Sequence, residues 1–145
     1  MKHEVQFWNR IVEGLWRPDR VLNRVENGVV DGMPDAYFTI RGVSGWMELK
    51  CPETPSRPTT ALFSGSHQLS LAQRNWLLAH RQAGGRAWVA IETERCVMLL
   101  GAKYADDINS MPLSQLIVAA SAWWTRPMNP ISWEGFAVCL RGVQP

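Results

Sequence analysis

The chain has 145 residues, which is the usual length of one compact domain. Hydrophobic residues make up 46% of it and charged residues 19%, a balance that excludes a disordered chain. The net charge of +2 does not by itself indicate a polyanionic partner. We therefore expect a single domain over residues 1–145 and look for its partners in local patterns.

Cysteine usage and hydropathy bear on the compartment. Cys51, Cys96 and Cys139 lie far apart without zinc-ligand spacing, so neither a disulfide framework nor a zinc site is predicted. Charges are interspersed through the first ten residues, and no stretch approaches the ~18 apolar residues of a membrane span. We expect no signal peptide, no membrane partner and a cytoplasmic location.

Periodicity predicts the elements of the first part of the chain. Apolar residues recur at spacings of three and four over residues 3–16, which predicts an amphipathic helix that ends before Pro18. Three β-rich runs and a long, proline-containing loop follow. The runs are residues 21–25, 36–40 and 45–50, with a hairpin-like connection at 41–44, and the loop is 51–68.

The remaining elements alternate between helix and strand. Ser70 is the predicted N-cap of a helix that continues to Gln82 and is closed by two glycines. We predict strands at 87–91 and 97–100, a last helix from Ser114 to about Trp124, and a terminal strand at 136–140. This order predicts an α/β fold with helices on one central mixed sheet.

Two carboxylates and one amine converge in this arrangement. Because side chains alternate along a strand, Glu48 and Lys50 share a face and Leu49 points to the other. In a hairpin over residues 36–49, Asp35 comes opposite Glu48, close enough to share a divalent cation. This grouping suits metal-assisted phosphodiester hydrolysis, although an exposed hairpin with a Glu–Lys pair is the simpler alternative.

The same residues resemble a known family. Gly32-Met33-Pro34-Asp35 followed by Glu48-Leu49-Lys50 is similar to the motif of the PD-(D/E)XK nuclease superfamily. Arg24-Val25-Glu26-Asn27, Trp46 and the segment 69–77 resemble its VRR-NUC and phage-type branch, which is related to Holliday-junction resolvases. The resemblance covers about residues 4–101, implies a restriction-endonuclease-like core, and leaves 102–145 as a C-terminal extension.

The resemblance also implies roles for individual residues. Asp35 and Glu48 would hold Mg²⁺ or Mn²⁺, Lys50 would assist water or the charged phosphate, and Gln73 would complete the active site. Relatives often add a glutamate from the first helix, for which Glu4 is a better candidate than Glu13. Glu26, in the loop before Asp35, is a third candidate, and an ordinary solvated carboxylate is the alternative for each.

Cations in the middle of the chain are candidates for nucleic-acid contact. Residues 51–91 hold four arginines and one acidic residue. Arg74 and Arg81 are seven residues apart and so share a helix face, which suits phosphate contact but also describes a solvated face. The main candidates are Arg57, His67, Arg74 and Arg81, and the first third of the chain adds Arg24, Lys2, Arg10 and Arg20 as further possibilities.

The leading hypothesis is a Mg²⁺- or Mn²⁺-dependent DNA endonuclease that acts on branched DNA such as four-way junctions, in a bacterial or phage-infected cell. Paired cuts suit a homodimer, for which Trp123, Trp124 and Trp133 of the extension are candidate interface residues, with core packing as the alternative. A monomeric nicking or flap nuclease fits the same residues. A non-catalytic nucleic-acid-binding module of this fold is the rival from another class.

Overall fold

The computed structural model describes residues 2–25 and 30–142. These residues form a six-stranded sheet with the strands in chain order across it. The strands are β1 (Arg20–Arg24), β2 (Ala36–Ile40), β3 (Val43–Lys50), β4 (Ala87–Glu92), β5 (Cys96–Gly101) and β6 (Ala122–Thr125). The α-helices are α1 (Lys2–Leu15), α2 (Leu71–Gln82), α3 (Leu113–Ala119) and α4 (Pro130–Arg141).

The sheet is mixed because one connection crosses over it. β1, β2 and β3 pair antiparallel, as do β4, β5 and β6. β3 and β4 are parallel, and the chain between them contains α2. The α/β fold with a central mixed sheet flanked by helices, predicted from the sequence, is confirmed.

Helices cover both faces of the sheet, so that the sheet separates two hydrophobic cores. On the α1/α4 face, residues such as Phe7 and Phe136 pack against Met47 and Leu49 of β3. On the α2/α3 face, Leu77 and Leu116 pack against Val89 and other residues of the central strands. Every residue of β4 and β5 is buried, as expected for strands with helices on both sides.

The C-terminal part corrects two predictions. The helix predicted from Ser114 to Trp124 ends at Ala119, and Trp123 and Trp124 lie in β6, where they pair with the edge of β5. The terminal strand predicted at 136–140 is part of α4. Asn129 caps this helix by accepting from the Ser132 N–H at 2.8 Å, and its buried residues follow helical spacing: Phe136, Ala137 and Leu140.

The extension also completes the core. Trp124 and Trp133 pack against the core of the α1/α4 face, each ring within 5.6 Å of Phe136. Trp123 is 47% exposed. Of the three rings proposed for a dimer interface, two are therefore occupied by contacts within the chain. Within the described ranges, no helix has the length and apolar character needed to cross a membrane.

Gly14 provides a test of the α1–α4 contact. A Cβ on Gly14 would lie 2.3 Å from the ring of Trp133. Helix propensity alone would make Gly14→Ala stabilising by about 1 kcal/mol. Because of this overlap we expect a destabilisation of about 1–3 kcal/mol instead, measured by urea unfolding. In a Trp133→Ala background the same change should be neutral or stabilising, and stabilisation in the native background would contradict the packing described here.

Candidate active site

The β2–β3 hairpin brings two carboxyl groups together. Its register pairs Ala36 with Met47, so that Asp35, one residue earlier, comes beside Glu48. The Leu49 N–H donates to Asp35 Oδ2 at 2.8 Å, and the Val25 N–H donates to the Asp35 carbonyl at 2.7 Å. The Asp35 side chain is therefore held against β3, as the hairpin argument predicted.

Glu48 is buried beside this neighbour. It is only 3% exposed and lies on the α2/α3 face, since Met47 and Leu49 on either side point into the other core. Burial, and then the negative charge of Asp35, raise the pKa of the Glu48 carboxyl well above its usual range, while the Lys50 ammonium opposes this rise. The site thus disfavours the charged form of Glu48 relative to an exposed carboxyl.

Lys50 shares the face of Glu48 and is also buried, with 7% of its surface exposed. Its Nζ donates to the Gln68 carbonyl at 3.4 Å. The loop that follows β3 therefore returns to the site immediately before α2. This carbonyl could not be predicted as a partner, because a backbone oxygen carries no side-chain signal in the sequence.

Gln73 connects the start of α2 to Glu48. Its Nε2 donates to Glu48 Oε1 at 3.0 Å, and its Oε1 accepts from the Ser70 N–H at 2.9 Å. The Ser70 hydroxyl in turn accepts from the Gln73 N–H at 3.1 Å, which completes a capping box. A glutamate at position 73 would also cap the helix, but it would add a third carboxylate to the site. The Gln73 amide caps the helix without adding that charge.

Of the candidate third ligands, Glu4 and Glu13 lie in the described part of the chain and are not grouped with Asp35 and Glu48. Among the described residues, no group of three or more His, Cys, Asp or Glu side chains is placed to hold a metal ion. Glu4 is half-buried in α1, where burial raises its pKa, while hydrogen bonds and then nearby positive charges, His67 among them, lower it to a net decrease. Glu26 lies outside the described residues. Glu13 lines a separate cavity between α1 and α4.

The predicted nucleic-acid contacts are spread over several surfaces. Arg74 is half-buried and Arg81 exposed, and their spacing places them on one flank of α2. Arg57 is exposed in the loop after β3, and His67 lies in a 3₁₀ turn near Glu4. Arg24 pairs with Ala36, whose side chain is in the α1/α4 core, so Arg24 lies on the sheet face opposite to Glu48.

One buried charge cluster was not predicted. Glu92, at the end of β4, is 6% exposed and accepts two hydrogen bonds from the Arg10 guanidinium, with Arg126 Nε 3.8 Å away. The cluster borders a cavity of about 690 Å³ between α1, the β4–β5 turn and the start of α4. Because Arg10 and Arg126 already neutralise Glu92, the cluster is explained as a contact that fixes α1 to the sheet.

Comparison with known proteins identifies a solved structure with a similar fold. No protein-family model matches the chain, and no curated protein matches it. Among solved structures, it is similar to Hjc, a Holliday junction resolvase from the archaeal hyperthermophile Archaeoglobus fulgidus. The TM-score is 0.52 at 20% identity, over 75% of this chain and 86% of that one. The likeness shows a shared, resolvase-like fold, and the VRR-NUC branch stays a prediction.

The pKa of Glu48 predicts an unusual pH dependence of folding. Because the pKa is higher in the folded than in the unfolded state, the folded state binds the proton more tightly. The free energy of unfolding should therefore fall as pH rises from the unfolded-state value of about 4.3 toward the folded-state pKa. Every tenfold difference in proton affinity between the two states lowers this free energy by about 1.4 kcal/mol once pH exceeds both pKa values.

Glu48→Gln should remove this dependence. In EDTA, we expect the variant to be more stable than the wild type at pH 8, with a smaller difference at pH 4, as measured by urea unfolding. Mg²⁺ or Mn²⁺ should stabilise the wild type and leave the variant nearly unchanged. Glu53→Gln, which neutralises an exposed carboxylate, is the matched control. A wild type whose stability rises over this pH range relative to Glu48→Gln would refute the description of the site.

Proposed function

We propose that the protein is a divalent-metal-dependent nuclease that hydrolyses phosphodiester bonds in DNA. The observation that carries this proposal is the buried pair Asp35–Glu48, with the pKa of Glu48 raised by burial and by the charge of its neighbour. Groups with strongly shifted pKa values are concentrated at functional sites. The resolvase-like fold supports the same class of activity.

The donor set fits a hard divalent cation. Asp35 and Glu48 are near neighbours, and burial together with the charge of Asp35 makes Glu48 hold a proton more tightly than an exposed carboxyl does. A divalent cation would take the place of that proton and relieve the repulsion between the two charges. Mg²⁺ commonly binds through one or two carboxylates, with waters and substrate phosphate as its other ligands, so a third protein carboxylate is not required.

The other side chains have defined tasks in this proposal. A bound Mg²⁺ or Mn²⁺ supplies Lewis-acid polarisation of the phosphate and lowers the pKa of bound water. The Lys50 ammonium stabilises negative charge that develops on the phosphate, because it is held in a water-poor site beside Glu48. Gln73 orients Glu48 through its amide. Asp35 is oriented by the Leu49 N–H.

For the substrate we propose branched DNA, cut by a homodimer. The support is the likeness to an archaeal protein described as a Holliday junction resolvase. A monomeric nicking or flap nuclease is the second candidate, and one observation favours it. Trp124 and Trp133 pack within the chain, which leaves only Trp123 of the three proposed interface rings substantially exposed.

Substitutions of Asp35 and of Lys50 should reduce cleavage for different reasons. Asp35→Asn removes an anionic ligand, so it should abolish metal-dependent stabilisation and strongly reduce cleavage. Lys50→Ala should retain metal binding, since the amine acts on water and phosphate rather than on the metal. For each variant we expect a loss of cleavage on the order of 10³-fold, which corresponds to about 4 kcal/mol of transition-state stabilisation.

The test uses labelled duplex, flap and four-way-junction DNA with Mg²⁺, Mn²⁺ or EDTA. Asp19→Asn is the matched control and should cleave like the wild type, because Asp19 is exposed and lies beside Arg41 in the hairpin turn, at the end opposite to Asp35 and Glu48. Paired cuts in the junction support the dimeric resolvase, and single cuts support the monomeric alternative. Cleavage in EDTA, or full activity of Asp35→Asn, would refute the proposed chemistry.

A further inference from the structure

Gly32, three residues before Asp35, lies directly on the first turn of α2. Gly32 has φ of +82°, a region that side-chain-bearing residues rarely adopt. A Cβ built on it would lie 2.3 Å from the Ala72 carbonyl oxygen and 2.8 Å from the Gln73 nitrogen. Since both neighbours are backbone atoms, no side-chain rotation can relieve this overlap. Glycine is therefore required here for two independent reasons.

The contact between Gly32 and α2 links Asp35 to Gln73 at the candidate active site. Asp35 follows Gly32 by three residues, and its carboxylate is bound by the Leu49 N–H of β3. Gln73, in the helical turn that Gly32 touches, holds Glu48 of the same strand. The path from Gly32 through Asp35, β3 and Gln73 back to Gly32 is thus a closed series of contacts. A shift of Gly32 away from α2 has to displace Asp35 or Gln73.

We infer that Gly32 is a positioning residue of the candidate active site. Its backbone contact with Ala72 and Gln73 sets the position of Asp35 relative to the Glu48 side chain that Gln73 holds. The role in catalysis rests on the proposed nuclease function, whereas the coupling of Gly32 to Gln73 can be measured without it. A displacement of about 1 Å in a reacting group can cost about 100-fold in rate, so the effect should be large.

Two other glycines separate this role from that of an ordinary turn glycine. Gly42 and Gly84 have φ of +83° and +89°, close to the value of Gly32. A Cβ on either of them would meet nothing within 4 Å. Gly42→Ala therefore introduces the same backbone strain as Gly32→Ala without the contact to α2. Any effect found in Gly32→Ala alone belongs to the contact.

The first readout is the NMR signal of the Gln73 side-chain amide in the full-length protein. In the wild type we expect a nuclear Overhauser effect between the Gly32 Hα protons and the Gln73 N–H. In Gly32→Ala the Gln73 side-chain amide signals should shift toward those of a free amide, as the bond to Glu48 is lost. In Gly42→Ala they should stay in place. Unmoved Gln73 signals in a folded Gly32→Ala would overturn the inference.

The second readout is the cleavage rate per folded molecule. We expect Gly32→Ala to lose about 100-fold and Gly42→Ala to match the wild type at a temperature where both are folded. In a Gln73→Ala background, Gly32→Ala should cause a smaller further loss, because the part of its effect that passes through the Gln73 side chain is already absent. Independent, additive losses in this cycle would contradict a role through Gln73.

A third variant covers the case in which Gly32→Ala does not fold. Inserting one glycine between Gly32 and Met33 retains the contact-forming glycine and lengthens the path to Asp35 by up to about 3.6 Å. It should fold, keep the Gln73 signals and lose cleavage, and normal cleavage by this variant would overturn the inference. If the wild type itself cleaves nothing, the proposed function fails, while the NMR comparison still decides whether Gly32 positions Gln73.

Discussion

The structure of the candidate site depends on two carboxyl groups that adjacent strands bring together in a buried place. Burial and mutual repulsion disfavour their joint ionisation, and the pKa of Glu48 is raised for both reasons. Such a pair persists in a fold only where something compensates the charge. The chain supplies part of this compensation through Lys50, the Leu49 N–H and the Gln73 amide. A divalent cation is the compensation we propose for the remainder.

This constraint also explains the architecture around the pair. The start of α2 brings an amide side chain rather than another carboxylate to Glu48, and the capping box fixes that amide against the helix. Gly32, which has no side chain, packs on the same helical turn. On the opposite face of the sheet, the charge of the buried Glu92 is also compensated, by Arg10 and Arg126. Each buried carboxylate of the sheet thus has its own form of charge compensation.

The parts of the site that follow local rules could be predicted from the sequence. Alternation along β3 placed Glu48 and Lys50 on one face, and the hairpin register placed Asp35 opposite Glu48. The C-terminal elements were harder to predict. Trp123 and Trp124 form a strand because they pair with the free edge of β5, which tertiary context decides. The apolar run at 136–140 suits a strand or a helix, and the local signal that decides for a helix, the Asn129 cap, lies before the run. The partners of Glu92 are distant in sequence and carry no local signal.

Paramagnetic broadening by Mn²⁺ tests the central claim most directly. If Asp35 and Glu48 bind the cation, substoichiometric Mn²⁺ should first broaden the amide signals of Leu49 and Lys50 and the side-chain amide of Gln73. Mg²⁺ in excess should restore them, because it competes for the same oxygens. Broadening centred on the Glu92 cluster, or spread evenly over the exposed carboxylates, would contradict the assignment of the metal site to the Asp35–Glu48 pair.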